Sequence, residues 1–83
     1  MKSRTHLSRV AELPCAVCNT QPVQVHHART PELSAGGKRA SDWYTIPLCL
    51  DCHARFHADK KMWEMAHGKQ VDHIAQTLDR LYG

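Results

Sequence analysis

The apolar positions of this chain fall in short runs, and each run has its own period. Leu7 and Val10 stand three apart in a polar segment, which predicts a helix over residues 3–12, capped by Ser3 and ended by Pro14. Val23 to His26 alternates apolar and polar and predicts a strand. Residues 28–41 hold Pro31, Gly36, Gly37, Lys38 and Arg39 and predict a basic loop. Trp43 to Leu48 predicts a second strand, with Pro47 forcing it to finish. From Asp51 the pattern turns helical, with Asp51 as the cap of a helix carrying His53, Phe56 and His57. A further helical stretch covers roughly residues 61–67 and stops at Gly68. A last helix is predicted by Val71, Ile74, Ala75, Leu78, Leu81 and Tyr82, with Asp72 in its first turn and Arg80 in its last. The expected whole is a small α+β domain over residues 1–83, with helices over 61–82 after a core motif over 15–57.

A chain of 83 residues, 42% of them hydrophobic, has material for a core but not a large one. Domains of this size are marginal on burial alone and commonly carry a staple. Four cysteines are available for that purpose. The first ten residues lack the apolar stretch of a secretory signal, and no run is long enough to span a bilayer. A cytoplasmic location is therefore expected, where paired cysteines more often bind metal than form disulfides.

Cys15-Ala-Val-Cys18 and Cys49-Leu-Asp-Cys52 are two matching C-x-x-C pairs. Each short turn can aim two thiolates at one ion, and two such turns complete a tetrahedral zinc site. Four thiolates leave no open position, so this zinc is expected to be structural. A two-Cys, two-His finger built from Cys49, Cys52, His53 and His57 is excluded by spacing. A finger needs about twelve residues between its pairs, and His53 follows Cys52 directly.

Seven histidines are far above average usage, and imidazole is both the commonest metal ligand and a frequent general base. His53 and His57 stand four apart on a predicted helix and share one face. His26 and His27 are adjacent at the end of a predicted strand, where successive side chains diverge. A division of labour follows. His26, His53 and His57 are expected to hold one divalent ion (Mg, Mn, Ni or Zn), and His27 to act as general base on a water. His6, His67 and His73 lack metal spacing and are expected at or near the surface.

The run C-x-x-C, V-x-V-H-H, I-P-L-C-x-x-C-H-x-x-x-H over residues 15–57 resembles the HNH endonucleases and their ββα-metal motif. Its most specific part is Ile46 to His57. The double histidine is similar to that of the colicin DNases. The basic chain with Ser41-Asp42 before the second strand is similar, more weakly, to phage nucleases of the recombination-enhancement type. The resemblance implies a metal-dependent hydrolase of phosphodiester bonds, with His26 as ligand, His27 as base, and His53 and His57 as further ligands. One position departs from it. The family's middle Asn is replaced by Tyr44, and the chain's single Asn is Asn19, in the first cysteine turn. Asp42 is the nearest polar residue that could orient the base.

The net charge of +3 suits a polyanion partner without requiring one. Arg29, Lys38, Arg39 and Arg55 are the candidates for contact with a nucleic-acid backbone, DNA above all. Two other readings follow from the same residues. One is a zinc ribbon that binds nucleic acid without chemistry. The other is a structural adaptor working through its last helix.

Overall fold

The computed structural model describes residues 4–30 and 41–83. Ser3 and the loop positions Pro31, Gly36, Gly37, Lys38 and Arg39 lie outside the described residues. Within them the chain forms α1 (Arg4–Ala11), β1 (Gln24–His27), β2 (Thr45–Leu48), α2 (Leu50–Ala58), α3 (Lys60–His67) and α4 (Gln70–Tyr82). No helix among the described residues is long and apolar enough to cross a membrane.

The two strands pair antiparallel, with His26 opposite Ile46 and His27 opposite Thr45. Helices α1 and α2 pack on both strands, while α4 packs on β2. This cover explains why all four β2 residues are buried, whereas in β1 only His26 is fully buried. The second strand ends at Leu48, one residue after Pro47, as expected, but begins at Thr45 rather than Trp43. The N and C=O of an antiparallel residue point to the same side, and the Pro47 carbonyl points outward, accepting from Ala16 N at 2.8 Å. Proline therefore costs no ladder bond at this edge, and its carbonyl ties the first cysteine turn to the sheet.

Helix α2 begins earlier than expected. Cys49, not Asp51, is its N-cap, and Asp51 sits in the first turn. There its charge suits the helix dipole, and it pairs with Arg55 one turn on, at 3.2 Å. Asp59 closes α2 and caps α3, its side chain accepting from Met62 N at 3.1 Å. Gly68 ends α3 at a φ of +98°, a conformation that favours glycine, and the chain turns into α4.

The core gathers Ile46, Leu48, Phe56, Trp63 and Ile74 around the cysteine cluster, with Val23 and Leu78 packed against it. Complete burial of side chains such as Phe56 or Ile46 contributes about 1.5–3 kcal/mol each. Two helices bury a different stripe from the one their hydrophobicity suggests. In α4 the buried positions are Gln70, His73, Ile74 and Thr77, while Ala75 is exposed. In α1 they are His6 and Val10, with Leu7 only half-buried. Most of these buried polar side chains find a partner, which offsets part of the cost of burial, although His73 Nδ1 has none among the described residues. Thr77 Oγ1 donates to the His73 carbonyl at 2.8 Å, and His73 Nε2 meets the His67 carbonyl at 2.7 Å. His6 Nδ1 meets Tyr82 Oη at 2.7 Å, and its ring stacks on Trp43. His6 and His73 are thus interior residues rather than surface ones, and His67 is exposed as expected.

Candidate metal centres and a histidine-lined cavity

The four cysteines converge. Cys15 and Cys18 lie on the turn before β1, where Asn19 adopts a left-handed φ of 63°. Cys49 and Cys52 lie on the N-terminal turn of α2, whose dipole favours thiolate. All four Sγ atoms lie within 4.8 Å of one another. The Cys18 sulfur is 3.5 Å from that of Cys49 and 3.8 Å from that of Cys52. A disulfide needs about 2.0 Å. The edge of a tetrahedron with zinc–sulfur bonds of 2.3 Å is about 3.8 Å, so the separations fit a metal ion.

The electrostatics agree with that fit. The Thr20 side chain and backbone hold the Cys18 thiol down at about 6. Burial, with the neighbouring sulfurs, pushes the Cys52 thiol well up. Four thiolates crowded together repel, and a divalent cation relieves all four at once. The four cysteines are therefore positioned to bind a metal ion, and the all-sulfur set suits structural zinc.

One and two turns further along α2, His53 and His57 meet His26 from the end of β1. Their nitrogens form a second cluster, again within 4.8 Å. His53 Nε2 is 3.2 Å from His26 Nδ1 and 3.1 Å from His57 Nε2. Nitrogens around a tetrahedral ion at 2.0–2.1 Å stand about 3.3 Å apart, so these three could hold one divalent ion. Phe56, between the two helix histidines, is buried and packs edge-on against the His26 ring at 4.4 Å. Burial lowers His26 to about 4, opposed by its Gln70 hydrogen bond and aided by the nearby His53 and His57. Burial also lowers His53, with help from His57 and Arg29. Both imidazoles are neutral at pH 7, the form that binds metal.

Beside this cluster opens a cavity of about 290 Å³, lined by Val25, His26, His27, Arg29, His53 and His57. His27 is the last residue of β1, and its Nε2 lies 2.8 Å from Asp42 Oδ1. Asp42 is buried, and its carbonyl accepts from the Thr45 hydroxyl at 3.0 Å, so it sits on the turn leading into β2. Tyr44 is instead partly exposed, and its carbonyl accepts from Ala28 N at 3.0 Å.

The basic candidates divide. Arg29 lines the cavity. Arg55 lies on the exposed side of α2, paired with Asp51, and does not line it. Lys38 and Arg39 lie outside the described residues. Lys60, not singled out by the sequence, donates to the Arg29 carbonyl at 2.9 Å. Two glutamines were also not legible. Gln24 Oε1 lies 2.7 Å from His53 Nδ1, and Gln70 Oε1 lies 3.2 Å from His26 Nε2. Gln24 stands two residues before His26 on the same strand, which is a usable signal. Gln70 is remote in sequence and carries none.

Comparison with known proteins adds relatives whose own activity is not described. The chain is 31% identical over 67 residues to the uncharacterized protein YdfU of Escherichia coli strain K12; the match covers 81% of this chain and 19% of that protein. The chain thus spans about a fifth of this relative's length. No solved structure matches. A family described as "Protein of unknown function (DUF968)" matches residues 1–83, the whole of the chain, and the chain therefore belongs to the DUF968 family.

Proposed function

We propose that the chain is a metal-dependent endonuclease domain of the HNH type, hydrolysing phosphodiester bonds in DNA. The observation that carries this reading is the shared cavity, where a three-histidine cluster adjoins a fourth histidine braced by a carboxylate. The strand–strand–helix order of β1, β2 and α2, with ligands from the end of β1 and from α2, supports the ββα-metal reading. The zinc at the four cysteines would fix the N-terminal end of α2 and so the directions of His53 and His57.

The residues have distinct tasks. His26, His53 and His57 hold the divalent ion, one of Mg, Mn, Ni or Zn. When bound, the ion supplies a Lewis acid for a phosphodiester oxygen and for the departing oxyanion. Asp42 accepts a hydrogen bond from His27 Nε2–H, which leaves the Nδ1 lone pair of His27 to take a proton from water. The Asp42 carboxylate then stabilises the imidazolium that forms. Arg29 offers its guanidinium to a phosphate at the cavity mouth. With no base-reading element evident, little sequence preference is expected. The reading places the protein in a reducing compartment such as the cytoplasm, which keeps the four thiols available for zinc.

The test is nicking of supercoiled plasmid by the zinc-loaded protein with each metal added. Metal-dependent nicking is expected. A protein that binds DNA and one zinc, yet never cleaves with any of these ions, would instead be a zinc-ribbon binding module.

A further inference from the structure

Gln70 is almost wholly buried, at 1% exposure, and opens α4, outside the strand–strand–helix unit. Both ends of its carboxamide are engaged. Gln70 Oε1 accepts from Arg29 N at 2.7 Å, and its Nε2 donates to the Arg29 carbonyl at 3.1 Å. This pair of backbone bonds fixes which end of the amide is oxygen, because an N–H can only donate and a C=O can only accept. The same oxygen faces His26 Nε2 at 3.2 Å. His26 Nε2 must therefore carry the hydrogen, and the lone pair is left on Nδ1. That nitrogen points at His53 Nε2, 3.2 Å away. His53 is set likewise, its Nδ1 against the Gln24 carbonyl oxygen. Two lone pairs thus face each other across the gap that a cation would fill.

We infer that Gln70 is a positioning residue which holds His26 in the Nε2–H form with Nδ1 toward the ion. This makes α4 part of the metal site. The inference rests on the three-histidine metal site proposed above, but not on nuclease activity. Gln70 also pins the backbone of Arg29, so one side chain sets both a ligand and the start of the cavity's basic wall. A hydrogen bond from a ligating imidazole to an acceptor behind it fixes ring orientation and raises ligand basicity. Gln24 plays the same part for His53, but it is exposed, where water can replace it.

The test uses zinc-loaded protein and two readouts that do not involve cleavage. Long-range ¹H–¹⁵N NMR of the histidine rings reports the tautomer directly. His26 is expected as Nε2–H in the wild type; finding it as Nδ1–H overturns the inference, whatever any variant does. Calorimetry with a second equivalent of Zn²⁺ then reports the histidine site. Gln70→Leu is expected to weaken this second binding by about 10–100-fold and to mix the tautomers. Gln70→Glu retains the acceptor and is expected to keep the Nε2–H form even if Gln70→Leu does not fold. Gln24→Ala is expected to weaken binding less than Gln70→Leu. Unchanged Zn²⁺ affinity in a folded Gln70→Leu protein would overturn the inference. Failure of the wild type to bind a second Zn²⁺ would instead count against the metal site itself, and the tautomer measurement would still judge Gln70.

Discussion

His27 and Asp42 come from the end of β1 and the turn before β2, and their side chains meet at 2.8 Å across the antiparallel pair. Asp42 is therefore placed to orient His27, while Tyr44 is exposed. His27→Ala is expected to lower plasmid nicking by about 10²–10⁴-fold, the usual contribution of a general base, while Zn²⁺ binding at His26, His53 and His57 persists. Asp42→Ala is expected to lower nicking by about 10–100-fold, in line with the loss of an orienting partner. Asp42→Asn keeps an acceptor oxygen but loses the charge that stabilises the His27 imidazolium, so it should lower nicking as well. Equal, full activity in His27→Ala would remove His27 from the mechanism.

The cysteine cluster leads to a prediction about folding. Zinc binding energy at such a site is folding energy, and Cys15, Cys49 and Cys52 belong to the core itself. Removal of the ion by a strong chelator is expected to abolish the cooperative thermal transition and most of the helical circular dichroism. Restoring Zn²⁺ should recover both. Cys49→Ser should behave like the chelated protein, since it removes one of the four clustered sulfurs.

The depressed histidines give stability a pH dependence of defined sign. His26 is lowered to about 4 and His6 and His53 are lowered too, chiefly by burial, against an ordinary value of 6.5. Between these values the unfolded chain binds protons that the folded chain does not, so stability falls as pH falls. The contribution is fully present above 6.5 and is lost progressively down to about 4 for His26. Urea titrations of zinc-loaded wild type and His26→Gln, carried out from pH 7 to 5, isolate this group because the structural zinc is common to both. The wild type should lose stability more steeply, and parallel curves would contradict the assignment.

Phe56 supports the site from below, with its ring 4.4 Å from that of His26 and 5.3 Å from that of Trp63. Phe56→Ala is expected to cost about 3–5 kcal/mol by leaving a cavity. The same variant should weaken the second Zn²⁺ site, because His26 loses the wall that holds its ring. Phe56→Leu should keep more of both. Chemical denaturation and calorimetry measure the two effects separately.

What the sequence determined by itself was whatever depends on spacing. Two C-x-x-C turns can each aim two sulfurs at one point, and a four-residue step on a helix puts His53 beside His57. Local pattern likewise located both strands and the order of the helices. Tertiary structure decided what depends on partners distant in the chain. Hydrophobicity placed Ala75 in the core stripe of α4 and His6 near the surface, yet the fold buries Gln70, His73 and His6. Burial of a polar group is permitted wherever a distant partner satisfies it, and no local pattern reports that partner. Asp42 meeting His27, and Gln70 reaching back to His26 and Arg29, are of this kind. The candidate ligands and base could be read from spacing, whereas Gln70 and Asp42, which contact them, are brought there by the packing of α4 and of the turn before β2.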